Sequence, residues 1–225
     1  QSNPTGYAAW FRSRMSVRLT EAKRALAQRE RITASVDEIP DYKVKTPLQR
    51  TIQLLKRHRD CMFTDDAEYK PISIIITTLA AHAYNEEPSI SAALQSILTG
   101  MDRYIEDRSG VAWVTNPVNP AENFADKWAE EPKKRENFYR WLDQAKHDFA
   151  LYLRASTFDK MPELLREHLG TKLVDSTMAA VLPVSSLAAP AIASSLSNAD
   201  EMTRAERAVE QINQAGPQSK PWAKL

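Results

Sequence analysis

Glycine is scarce in this chain. Five glycines stand in 225 residues, too few for a β architecture rich in tight loops. Cysteine is scarcer: Cys61 is alone, so no internal disulfide framework exists, and a reducing compartment is expected. An excess of one charge is missing too. Thirty Lys and Arg face twenty-nine Asp and Glu, a net charge of +1, which argues against a general nucleic-acid coat. No apolar run reaches the ~18 residues of a membrane span, and no signal-like segment follows Gln1. The expectation is a cytoplasmic protein with no membrane partner. The four histidines, His58, His82, His147 and His168, show no metal-site spacing, and no internal repeat is visible.

What the chain does hold is helical periodicity. The stretch 46–84 organises it and reads as two successive helices. In the first, Pro47 suits the first turn, where its missing N–H would be unpaired anyway. Leu48, Ile52, Leu55 and Met62 recur at helical spacing. Between Lys43 and Arg59 stand six basic residues, Lys43, Lys45, Arg50, Lys56, Arg57 and Arg59, and no acid. That is a local positive field of the kind that suits phosphates. The second element, 72–84, is ambiguous. Ile74, Ile75, Ile76, Thr77 and Thr78 favour a strand, whereas the length and the Leu79-Ala80-Ala81 continuation favour a buried helix, which is our reading. Its apolar excess predicts an exposed patch. Ser73 at its start can cap the helix or meet a phosphate at the positive end of the dipole.

Elsewhere the pattern is also mainly α. After a turn-forming stretch at 2–6, Trp10 or Phe11, Met15, Leu19, Ala22 and Leu26 predict one helix. Its other face carries Arg12, Arg14, Arg18, Lys23 and Arg24, either a solvated surface or a contact for phosphate or a polyanion. A third helix is expected from Pro88 and Ser89, with Gly100 inside it, then a loop over 107–123 with a short extended piece at Val111–Val114. A short helix at 122–130 and a longer one from Pro132, with core residues Phe138, Trp141, Leu142, Ala145, Phe149 and Tyr152, come next. A helix at 159–169 closes on Gly170. A linker at 183–198, a polar helix at 200–214 and a tail complete the chain.

The run KTPLQRTIQLLKRHRDCMF, followed by KPISIIITTLAAHAY, resembles the bacterial CD-NTases, the cGAS/DncV-like nucleotidyltransferases with a SMODS-type core. The later NPVNPAENFADKW and the opening SNPTGYAAWF are similar to the same family, in the same order, so the resemblance covers roughly residues 2–152. It implies a helical bundle like the C-terminal substrate-binding domain of OAS/cGAS-like nucleotidyltransferases. Residues 1–45 would link it to the catalytic core, 46–182 would form the helical nucleotide-binding domain, and 183–225 would be linker, polar helix and tail. The family's Gly-Ser loop and Asp-x-Asp pair do not occur in this sequence. The chain is therefore expected to be a C-terminal fragment that is inactive alone.

The resemblance also implies site residues. The Lys of a Leu-Leu-Lys helix contacts the nucleotide triphosphate, which points to Lys56; without the resemblance Lys56 reads as a surface lysine. A Ser at the start of the following helix lies near the same triphosphate, which points to Ser73. Ser2 and Asn3 fall where the chain passes a bound base. Arg50, Arg57 and Arg59 add to the phosphate field, with at least one of them expected in an ion pair to Asp60 or Asp66. No catalytic residue and no metal ligand is assigned; Mg²⁺ would be held by carboxylates outside the chain. The implied parent joins NTPs into cyclic di- or trinucleotides in antiphage defence, the product activating a downstream effector. Two alternatives stay open: a polymerase-β-like enzyme adding nucleotides to RNA, and a helical interaction module with no nucleotide site.

Overall fold

In a computed structural model the chain is described over residues 3–31 and 35–154, with 165, 166, 169–171 and 174 beyond them. Seven helices carry this part. They are α1 (Pro4–Ser13), α2 (Ser16–Glu30), α3 (Pro47–Met62), α4 (Ser73–Ala83), α5 (Ile90–Gly100), α6 (Lys127–Glu130) and α7 (Pro132–Arg154). The mainly α expectation is met. Ser2, most of the helix expected at 159–169, and the segments at 183–198 and 200–214 lie outside the described residues.

The middle helix, α4, is helical although its first half is β-branched. Its surroundings decide this, since an element that is apolar all round needs neighbours on every side. Ile75, Ile76, Leu79, Ala80 and Ala81 are at most 1% exposed. The chain thus absorbs most of the apolar excess at 72–79 itself, and Ile72, at 49%, is the large side chain left out. This corrects the expectation of a broad apolar patch. The α3 helix packs beside α4 through Leu48, Ile52, Leu54 and Leu55, all nearly inaccessible. Burying each such side chain contributes about 1.5–3 kcal/mol. A capping box starts α3: the Thr46 hydroxyl accepts from Gln49 N–H, and the Gln49 side chain accepts from Thr46 N–H. On the other side α7 supplies Phe138, Trp141, Leu142, Ala145 and Phe149 to the same core, as expected.

Several boundaries differ from expectation. The described part of the stretch at 2–6, residues 3–6, is not a free turn but the start of α1, with Pro4 at its first position and Asn3 as N-cap, Oδ1 accepting from Gly6 N–H at 2.9 Å. The one helix expected to follow is two, broken at Arg14–Met15. The Ser13 hydroxyl donates to Trp10 O, a local bond that a continuous helix also accommodates. The Arg14 guanidinium is drawn across to the carbonyls of Ala81, His82 and Tyr84 at the end of α4. There a cation satisfies orphan acceptors and meets the negative end of the dipole.

Two antiparallel hairpins replace the loop at 107–123, β1 (Glu106–Arg108) with β2 (Val111–Trp113), and β3 (Thr115–Asn116) with β4 (Asn119–Asn123). Because β4 takes Asn119–Asn123, the helix expected at 122–130 shrinks to α6. The Asn123 side chain accepts from Val114 and Ala125 N–H and donates to Ala112 O, which locks this corner. Gly100 ends α5 rather than lying inside it, and a 3₁₀ turn, Met101–Tyr104, carries on.

Gly170 has φ +90° and a neighbour, Arg57, whose Nε donates to Leu169 O at 2.9 Å. A Cβ at Gly170 would stand 2.7 Å from Arg57 Nη2. Gly170→Ala is therefore expected to cost about 1–2 kcal/mol, read as a loss of a few degrees in thermal melting. An unchanged melt would show that this contact contributes nothing.

Candidate functional site

The four Lys and Arg residues of α3, Arg50, Lys56, Arg57 and Arg59, meet different fates, and the helical repeat sorts them. Residues three and four apart share a face, so Lys56 aligns with Arg59 and Asp60. Lys56 is half-buried. Burial, and then the Arg59 cation, push its pKa down from 10.5 to about 8, with Asp60 opposing. The ammonium thus sits where a second negative charge would be welcomed.

Arg59 is 4% exposed and reaches across to the start of α4. Its Nη1 donates to Pro71 O at 2.9 Å and to Ser73 Oγ at 3.0 Å. Nε and Nη2 donate to Asp60 Oδ1 at 3.2 and 2.8 Å. This is the structural ion pair expected for one of the three arginines. Asp60 also accepts from Lys70 Nζ at 3.0 Å. Burial alone would raise the Asp60 carboxyl, but Lys70 and Arg59 outweigh it and hold it below the ordinary carboxylate range. Lys70 is a member of this cluster that sequence reasoning missed. The signal was its place three residues before Ser73, where the positive end of α4 repels a cation unless an acid stands by.

Ser73 is exposed and occupies the first helical position, one residue inside the cap position, which Ile72 takes. Its hydroxyl makes no capping bond to the helix and is engaged by Arg59 instead. Asn3 stands toward the same end. Tyr7 Oη and Thr78 Oγ1 are 2.8 Å apart, the Trp10 ring lies 5.0 Å from His82, and Arg14 holds the carbonyls at 81–84. These contacts ascend together, so α1 and α4 run side by side in one direction and their N-termini lie at one end. Lys56, Arg59, Lys70 and Ser73 are thus gathered into one cluster, with Asn3 on the same side of the bundle. Arg50 is half-buried nearly two turns earlier on α3, and Arg57 points elsewhere, to Leu169.

The basic face at 12–24 is mostly spent on structure. Arg12 and Lys23 both pair with Asp41, at 2.5 and 2.7 Å, Arg14 caps α4, and Arg18 Nε donates to Glu86 O at 2.6 Å. His82 is half-buried between the rings of Trp10 and Tyr104, in keeping with a core histidine. Among the described residues no group of three His, Cys, Asp or Glu side chains could hold a metal ion. No helix among them is long and apolar enough to cross a membrane.

A cation of lowered pKa, a second cation and an exposed hydroxyl at a helix N-terminus thus lie together at the start of α4. No protein-family model matches the chain. It is 31% identical over 175 residues to a c-di-GMP synthase of Roseivirga ehrenbergii, which covers 76% of this chain and 44% of that protein. It is 25% identical over 198 residues to the cyclic dinucleotide synthase CdnG of Bradyrhizobium diazoefficiens, with 79% and 46% covered. The solved structure of that CD-NTase in complex with GTP superposes with a TM-score of 0.56 at 23% identity, over 77% of this chain and 53% of that one. The chain spans about half the length of the relatives it matches.

Proposed function

We propose, on the premise that this chain is a relative of the bacterial CD-NTases, that it is the helical, substrate-binding portion of a cyclic oligonucleotide synthase. In this reading it forms the C-terminal part and works against a catalytic core it does not itself contain. The observation that carries the reading is the similarity, over three quarters of the chain, to two cyclic dinucleotide synthases. The Lys56–Ser73 cluster supports it, because it offers the charge and donors that a triphosphate requires.

The reaction joins NTPs. A ribose hydroxyl attacks an α-phosphorus, the new P–O bond forms as the bond to the bridging oxygen breaks, and pyrophosphate leaves with its charge. Lys56 would hold the triphosphate by a charge-assisted hydrogen bond, and Ser73 would donate to a neighbouring phosphate oxygen. Asn3, with Ser2 before it, would pass beside the base. Mg²⁺, bound by carboxylates outside the chain, would supply charge neutralisation during transfer. GTP is the first substrate to test, given the relatives' names. A place in antiphage signalling, in the cytoplasm and through an effector that responds to the product, belongs to the same proposal.

The test is a product assay. The full-length protein that carries this chain, incubated with all four NTPs and Mg²⁺, is expected to release pyrophosphate and a cyclic product resolved by chromatography. The chain alone is expected to make none. Linear extension of an added RNA would favour the nucleotide-adding alternative. Absence of any NTP-dependent product from the full-length protein would leave the helical interaction module as the better reading.

A further inference from the structure

Arg59 is the group in this cluster whose role is not explained by charge. It is buried, and four of its five N–H donors are already taken, two by Asp60, one by Pro71 O and one by Ser73 Oγ. It has little left with which to bind a phosphate directly. What it does hold is the junction between the α3–α4 connection and the first turn of α4, at two points two residues apart.

The bond to Ser73 has a chemical consequence. A serine hydroxyl carries one donor and two lone pairs, and a guanidinium carries donors only. When Arg59 donates to Ser73 Oγ, the serine proton cannot point back at Arg59. It is left available for another acceptor, and Ser73 is itself exposed. The same bond selects one of the three χ1 rotamers open to a serine. Asp60 completes the device. Its Oδ1, held by Lys70, accepts from Arg59 Nε and Nη2 and so fixes the guanidinium whose Nη1 reaches Ser73.

We propose that Arg59 is a positioning residue of the triphosphate site: it fixes the Ser73 hydroxyl as a donor for the bound phosphate. The inference rests on the reading of Lys56 and Ser73 as triphosphate contacts. Lysine at position 59 would keep the positive charge and lose the fork, so it could not serve Asp60, Pro71 O and Ser73 Oγ together.

The experiment is a double-mutant cycle on GTP affinity, measured by calorimetry on the full-length protein, with thermal melts alongside. The four proteins are the unaltered one, Arg59→Lys, Ser73→Ala and the double variant. Arg59→Lys is expected to weaken GTP binding roughly tenfold when Ser73 is present, and by less than about twofold when Ser73→Ala has removed the hydroxyl it orients. Equal factors in the two backgrounds would make Arg59 a merely structural residue and overturn the proposal. Should Arg59→Lys fail to fold, Asp60→Asn replaces it in the cycle. That side chain is 35% exposed, and its loss should loosen Arg59 with the same non-additive pattern. Lys56→Ala separates the two levels of inference. If it binds GTP as well as the unaltered protein, the triphosphate site fails and Arg59's role fails with it. If it weakens binding while the cycle is additive, the site stands and only the positioning role falls.

Discussion

Lys56→Ala in the full-length protein is expected to weaken NTP binding roughly 10- to 100-fold. A charge-assisted hydrogen bond to phosphate contributes on the order of 1.5–3 kcal/mol, and each 1.4 kcal/mol is about tenfold. The structure adds a pH signature. Burial and the Arg59 cation lower the Lys56 pKa to about 8, so the ammonium is charged below that pH and neutral above it. Affinity should therefore fall as pH rises through about 8, and binding below that point should be accompanied by little proton exchange. Lys56→Arg keeps a charge that does not titrate in this range, so it should retain part of the affinity and flatten the pH profile. Lys23→Ala is the control, since Lys23 is tied to Asp41 on another helix.

The sign for stability runs the other way. The lysine titrates near 10.5 in the unfolded chain and near 8 in the folded one. Between these values the unfolded state holds more protons, so stability rises with pH there; below 8 the full cost of burying the ammonium is present. The whole shift corresponds to about 3 kcal/mol, and water at the half-exposed side chain reduces it. Lys56→Met should then raise stability at pH 7 by on the order of 1 kcal/mol while losing NTP affinity, the trade expected of a binding residue. Titration and melting of the variants decide the matter. If Lys56→Ala binds NTP as tightly as the unaltered protein at pH 7, Lys56 is only a surface lysine.

How much of this was legible in the sequence depended on range. The α3 start was written locally, in a threonine, a proline and a glutamine at cap positions. The choice of helix for 72–84 was legible from length. By contrast, periodicity runs unbroken from Trp10 through Met15 to Leu19, so nothing local announces the break after Ser13. The Ser13 hydroxyl bond to Trp10 O is compatible with a continuous helix, and the break goes with Arg14 reaching carbonyls 67 to 70 residues away. Of the two hairpins, the extended piece at Val111–Val114 was legible and is β2, whereas the other strands read as loop, because β4 is held by the Asn123 side chain and its pairing with β3. At the site, the positive charges were legible but their division of labour was not. Arg57 and Arg59 look alike on a basic helix, yet one caps a distant carbonyl and the other braces Ser73. Asp60 could be named as a partner in advance because it is Arg59's neighbour in the chain.

Asp148→Ala is expected to be the most damaging substitution for the fold, and no local pattern marks it. His58 lies two residues after Lys56, so at about 100° per residue it faces nearly away from the site and into the bundle. There its Nε2 is 2.9 Å from Asp148 Oδ2 on α7, 90 residues further along, and both side chains are about 1% exposed. Gln144 Nε2 donates to the other carboxylate oxygen at 2.8 Å, and Phe149 packs 5.5 Å from the imidazole. The pair pins the helix that presents Lys56 to the longest helix of the bundle. Removing one member of a buried pair leaves the other desolvated, which costs about 3–5 kcal/mol. For a protein of this size that is a melting temperature lower by roughly 6–20 °C. Asp148→Asn keeps the shape and one acceptor, so about 1 kcal/mol is expected. The double variant His58→Phe with Asp148→Leu removes both polar groups and should be more stable than Asp148→Ala alone, because no buried polar group is stranded. Urea unfolding of the three variants measures this. A midpoint for Asp148→Ala within error of the unaltered protein, or a double variant that simply adds two full penalties, would mean that the pair does not hold α3 against α7.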